Sequence, residues 1–189
     1  MRTSALITMN CEAKMRFEFA DESHPLYTES LNLYRRSFSL NEQRKAASQA
    51  EIISNPLYKF ALIYDRETFV GIILFWETDG FIYVEHFCIL DNMRGEGYGS
   101  KALEILKKSG KNIILEIDPP EDDVSRKRKS FYEQNGFCEN SYLHIHPPYR
   151  DGYDGHRLTV MSYPNPINED LYADFYLFLK DTVMKNAKK

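Results

Sequence analysis

Apolar and polar positions repeat along this chain with two different periods, and the switches between them divide it into elements. Met15, Phe17 and Phe19 alternate with Arg16 and Glu18, the two-residue repeat of a half-buried strand over Met15–Ala20. Leu26, Leu33, Tyr34 and Phe38 fall near one helical face and predict a helix over Leu26–Phe38. A second helical pattern covers Asn41–Ile53, with Asn41 placed to cap it, and Asn55-Pro56 breaks it. Phe60–Tyr64 and Phe69–Glu77 read as strands joined by the polar turn Asp65–Thr68, and Asp79-Gly80 signals a hairpin into a third strand, Phe81–Leu90. Helical spacing returns over Lys101–Ser109 and stops at Gly110, and Asn112–Ile117 reads as a short, fully apolar strand. Asp122 or Asp123 then opens a helix running to Asn135, with Gly136 where a left-handed residue ends it. Phe137–His146 and His156–Met161 are strand-like, and Asn168–Asn186 is a long amphipathic helix carrying Leu171, Phe175, Phe178, Leu179 and Val183.

Hairpins come first and a strand–helix–strand–helix–strand passage follows, without internal repeats or a low-complexity linker. That order predicts one mixed α/β domain over residues 15–189. Residues 1–14 carry no periodic pattern and read as a disordered tail, with Met15 as a second start. A chain of 189 residues, 43% hydrophobic, can bury a substantial core. The net charge of −4 gives no bulk field to recruit nucleic acid or an anionic membrane. Three widely spaced cysteines, Cys11, Cys88 and Cys138, argue for a reducing compartment. No apolar run approaches the roughly 20 residues needed to span a bilayer, and no leader with a cleavage site is evident, so the expected location is cytoplasmic.

The stretch Asp91–Ser100, D-N-M-R-G-E-G-Y-G-S, joins the third strand to the next helix. A glycine-rich turn there presents backbone N–H groups at the positive end of a helix, which is an anion site, usually for phosphate. No Gly-Lys-Ser/Thr closes the turn, so it is not a P-loop, and its glycine spacing differs from that of a dinucleotide fold. The pattern that fits is Arg-x-x-Gly-x-Gly, with Arg94, Gly97 and Gly99 in register. It resembles the acyl-CoA pyrophosphate loop of the GNAT superfamily of N-acetyltransferases. A second block, K-S-F-Y-E-Q-N-G-F over Lys129–Phe137, is similar to that family's later segment, in which a helix bearing Phe-Tyr ends at a glycine before an aromatic strand. The resemblance covers about Phe60 to Tyr142 and, more weakly, Leu26 to Arg44.

The resemblance implies a mixed, mostly antiparallel sheet with a splayed parallel strand pair, flanked by helices. It implies acetyl-CoA as co-substrate, held at Arg94, Gly95, Glu96, Gly97, Tyr98, Gly99 and Ser100. The pantetheine arm would lie between Phe81–Leu90 and Asn112–Ile117, with backbone N–H groups of Phe87, Cys88 and Ile89 facing the thioester. Tyr132 matches the family's general acid, or at least a contact to the thiol. Ser125 stands where many members carry a pantetheine-binding Asn. Glu85 matches the position of an acid in many members; it would be a general base, if burial raises its pKa, or a binder of the acceptor ammonium. Strand alternation puts His86 on the opposite face unless a bulge intervenes, so only one of the two is expected to face the acceptor. Cys88 reads as core, and transfer without an acyl-enzyme is expected.

The implied partner is a small-molecule or peptide amine, with no nucleic acid and no membrane. His144-x-His146 lacks an acidic or cysteine partner at useful spacing, so no metal is expected. The run His146-Pro147-Pro148-Tyr149 could close over the acceptor or form a homodimer contact, and one member of the basic cluster Arg126–Lys129 could reach a coenzyme phosphate. The competing function is an acyl-CoA-binding module that has lost catalysis.

Overall fold

The computed structural model describes residues 15–188, and the expected tail over residues 1–14 lies outside them. The strands are β1 (Met15–Phe19), β2 (Tyr58–Asp65), β3 (Thr68–Glu77), β4 (Phe81–Ile89), β5 (Asn112–Ile117), β6 (Cys138–Glu139), β7 (His144–His146) and β8 (His156–Tyr163). The α-helices are α1 (Tyr27–Ser37), α2 (Ala46–Ile52), α3 (Tyr98–Lys107), α4 (Asp123–Gln134) and α5 (Glu169–Phe178). The eight strands form one sheet in the order β1-β2-β3-β4-β5-β8-β6, with β7 also paired to β8. Every pairing is antiparallel except β4 with β5, which α3 connects as a crossover helix.

Alternation along the strands sends apolar side chains to both faces, so the sheet has a core on each side. One core joins Phe60, Leu62, Leu74, Trp76 and Tyr83 to Leu33 and Tyr34 of α1 and to Phe175 of α5. The other joins Ile63, Ile73, Val84 and Leu115 to Ala102, Leu103 and Leu106 of α3 and to Tyr132 of α4. Asp122 caps α4 by accepting from the Ser125 amide, and Gly136 (φ +78) follows its end as the spacing predicts.

Three expectations are corrected. The helix expected over Asn41–Ile53 is a 3₁₀ turn, Leu40–Glu42, and the shorter α2. Ser39 and Glu42, not Asn41, form the capping box, and the extended backbone at Gln43 turns Gln43 and Arg44 inward. There Gln43 donates to the carbonyls of Arg35 and Phe38. The expected C-terminal helix is α-helical only to Phe178 and continues as a wider π turn, Leu179–Val183, closed by the Met184 amide on the Leu179 carbonyl. The strand expected over Phe137–His146 is interrupted, because Asn140 inserts its side chain against the Val160 carbonyl and the Ser162 hydroxyl.

Gly71 marks a close approach of β3 to β4, since a Cβ there would sit 2.4 Å from the Cys88 carbonyl oxygen. Backbone cannot give way cheaply, so Gly71→Ala is expected to destabilise the fold by about 1–3 kcal/mol, read as a lowered urea midpoint at unchanged m.

Candidate active site

Parallel pairing of β4 with β5 runs from Phe81 and Asn112 to Val84 and Leu115, and stops. Beyond that point the two strands part, and the edges of β4 and β5 that face the gap lose their ladder partners. On its other edge β4 pairs with β3 under a register shift: His86 opposes Leu74 and Val84 opposes Phe75. Glu85 is therefore the extra residue of a β-bulge, which interrupts alternation. Val84 packs in the α3 and α4 core, whereas Glu85 and His86 both turn to the α1 side. The expectation that only one of them faces that side is corrected, and the bulge is the reason.

A cavity of about 670 Å³ passes through the gap. At one end it is lined by Arg94, Gly95 and Gly97–Ser100, and midway by Val84–Ile89, Leu115–Asp118 and Tyr132. At the other end stand Phe38, Glu42, His146, Tyr149 and His156. Gly95 and Gly97 adopt φ of +86° and +77°, and a Cβ on either would meet nothing within 4 Å. Their glycines are required by conformation, and the space before them is open. Gly97 caps α3 without a side-chain hydrogen bond, so the first amides of that helix carry its positive end into the cavity. Such a cradle fits a diphosphate. Gly99 has a different reason: a Cβ there would sit 3.0 Å from the Phe131 ring, where α3 meets α4.

The other residues implied by the resemblance divide. Arg94 lines the cavity, paired with Asp91 at 2.8 Å and donating from Nε to the Ile89 carbonyl at 3.2 Å. Glu96 is exposed and does not line the cavity. Phe87, Cys88 and Ile89 line it, and burial pushes the Cys88 thiol up to about 11. Ser125 does not line it, because its hydroxyl is committed to the α4 capping box with Asp122. Of the basic cluster, Arg128 lines the cavity and pairs with Asp118.

Tyr132 is buried between Phe131 and Phe137, and its hydroxyl has no hydrogen-bond partner among the described residues. Burial pushes its pKa up to about 12. Glu85 is the opposite case. Its Oε1 accepts from Arg44 Nη2 at 2.8 Å, Arg44 Nε at 3.0 Å and the Tyr149 hydroxyl at 2.9 Å, and Oε2 accepts from Trp76 Nε1 at 2.7 Å. Burial alone would raise this carboxyl, but Arg44, His86, Trp76 and Tyr149 outweigh it and hold the group below the usual range. The rise that would make Glu85 a useful base is thus reversed. Arg44 gives no sequence signal, lying in a stretch that reads as ordinary helix. Glu116 was hidden too: inside the strand read as fully apolar it is a buried carboxylate, accepting from Tyr83 at 2.5 Å and contacting His144.

A GNAT acetyltransferase domain matches residues 56–139, a span holding the glycine turn and Tyr132. YjbC of Bacillus subtilis (strain 168), provisionally named as an acetyltransferase, is 38% identical over 68 residues. That match spans 35% of this chain and 35% of YjbC, about a third of the relative's length. Among solved structures, a protein of Bacteroides thetaiotaomicron assigned by its title to the GNAT family superposes with a TM-score of 0.84 at 28% identity, over 92% of this chain and 99% of its own. A Bacillus subtilis acetyltransferase solved in complex with CoA shares the fold, at a TM-score of 0.52 and 15% identity, over 79% of this chain and 97% of that one.

The Glu85 arrangement has a pH consequence. A carboxyl lowered in the folded state contributes stability above its unfolded pKa, and that stability is lost as pH falls through the folded value. The acid limb of thermal stability is therefore expected to begin below about 4.5, the group's ordinary value. Arg44→Met should cost about 3–5 kcal/mol at neutral pH by leaving the buried carboxylate unpaired, with much of the loss restored by adding Glu85→Gln.

Proposed function

We propose that the chain acts as a GNAT-type acetyltransferase, moving an acetyl group from acetyl-CoA directly to a primary amine of a small molecule or peptide. The observation that carries this reading is the single cavity joining the uncapped glycine turn, through the gap between β4 and β5, to a polar and aromatic far end. Amides around Gly97 would hold the diphosphate, and the unpaired edge of β4 would take the pantetheine arm much as it would an added strand. Backbone N–H groups over Phe87–Ile89 would stabilise the oxyanion of the tetrahedral intermediate.

Tyr132 is assigned to the leaving sulfur. A phenol at about 12 stays protonated at neutral pH and donates a hydrogen bond. Full transfer of its proton to a thiolate of pKa about 8.5 runs uphill, so its assigned work is stabilising the sulfur as the C–S bond breaks. Cys88 suits direct transfer, because a thiol raised to about 11 supplies little thiolate. Glu85 is assigned to positioning: it fixes Arg44, Trp76 and Tyr149 around the acceptor end.

That closed carboxylate is also what favours the second reading, an acyl-CoA-binding module without catalysis. Release of free coenzyme A thiol, followed across a panel of alkyl, aryl and peptide amines, separates the two; saturable binding without release supports the module.

Gly97→Glu is expected to abolish acetyl-CoA binding by calorimetry, since it strains a φ of +77° and sets a negative charge among the amides. Retained affinity would remove the diphosphate assignment. Tyr132→Phe should lower kcat about 10–100-fold, the worth of a hydrogen bond to a charged group, with acetyl-CoA affinity unchanged. Equal losses in both, or none, would count against its role.

A further inference from the structure

We propose, on the acetyl-transfer reading, that His146 is the base that takes a proton from the acceptor ammonium, with Glu116 balancing the charge His146 acquires. A primary amine of pKa about 10 is only about one part in a thousand neutral at pH 7, so transfer needs a proton acceptor within the cavity. Glu85, at the position the family resemblance favours, is occupied by its donors. His86 donates from Nε2 to the Glu42 carbonyl at 2.9 Å and is held edge-on by Tyr34 and Phe38.

His146 is built differently. It lies on β7, is 4% exposed and lines the cavity. Its Nδ1 is 2.6 Å from the Pro147 carbonyl oxygen. A carbonyl only accepts, so Nδ1 carries the hydrogen and the neutral ring has a bare Nε2. That Nε2 is buried and has no hydrogen-bond partner among the described residues, an arrangement that costs free energy until a partner completes it. The Tyr149 ring stacks on the imidazole at 4.9 Å and holds its plane.

Glu116 Oε2 stands 3.8 Å from Nε2, beyond hydrogen-bond distance but within ion-pair distance of the ring. Glu116 is itself kept ionised. Burial pushes its carboxyl up, but His146, His144 and Tyr83 together hold it low. His144 in turn meets the Tyr172 hydroxyl through Nδ1 at 3.1 Å. The groups facing His146 are thus Glu116 from β5, His156 opposite it on β8 and Tyr149 from the loop, with Glu85, Arg44 and His86 beyond Tyr149.

The step balances. One ammonium proton passes to Nε2, and the freed nitrogen lone pair attacks the thioester carbon. The C–N bond forms and the C–S bond breaks. A second nitrogen proton goes to the departing sulfur, and the third remains on the amide. Imidazolium then gives its proton to solvent.

Two measurements on the full chain test this. In wild-type and His146→Gln protein, turnover is compared for phenethylamine, protonated near neutral pH, and for trifluoroethylamine, largely unprotonated there. The variant is expected to lose about 100-fold in kcat/KM with phenethylamine and less than about threefold with trifluoroethylamine, at unchanged acetyl-CoA affinity. Equal losses on both amines, or none, overturn the base assignment. Wild-type protein that turns over neither amine, nor any of the wider panel, fails the transfer reading instead. Long-range 1H–15N spectra of ¹⁵N-histidine-labelled protein decide the His146 state independently: a bare Nε2 with hydrogen on Nδ1 is expected, and an Nε2–H tautomer overturns the proposal whatever the turnover.

Discussion

Two strands that run side by side and then separate leave backbone donors and acceptors facing each other across a gap. Such groups are costly to strand without partners. In this protein the separation comes after Val84 and Leu115, in the middle of an otherwise continuous sheet. The strands that diverge are the one parallel pair, and α3 crosses from one to the other beginning at the glycine turn. The gap and the amide cradle are consequently placed by the same connection. A bulge on the far edge of β4, at the first residue of the gap, adds local twist and turns two successive polar side chains toward one side.

Two carboxylates flank this opening, and their surroundings give them different capacities. Glu85 meets a guanidinium, an indole N–H and a phenol, so its charge and its lone pairs are both answered within the protein. Arg44 extends the tie, since its Nη2 donates to the Val183 carbonyl at 2.7 Å and its amide donates to the Tyr34 hydroxyl. That cluster fastens the segment before α2 and the π turn to the sheet, and it behaves as structure. Glu116 has a phenol and histidines for neighbours and, among the described residues, no arginine paired to it. A carboxylate so placed can respond to a proton arriving next to it, whereas one already paired to Arg44 has little more to offer.

Much of this was legible along the chain. The strand and helix periods found most elements, Asp79-Gly80 and Gly136 marked a hairpin and a helix end, and the glycine-rich run marked the turn into α3. Those signals are local: a period, a cap and a positive φ each depend on a few neighbouring residues. The helix expected from Asn41 failed because Gln43 and Arg44 are drawn inward by partners on α1 and β4, which propensity does not register.

Sequence alone thus determined most of the elements, the glycine turn and the presence of Tyr132 and Glu85 on the elements beside it. Tertiary structure alone decided what those groups can do. The bulge that sets Glu85 and His86 on one side depends on register against β3. The pKa of Glu85 depends on an arginine 41 residues away, and the environment of His146 depends on a glutamate from β5 that reads as part of an apolar run. Charge and proton affinity are set by distances in space, and spacing along a chain does not contain them.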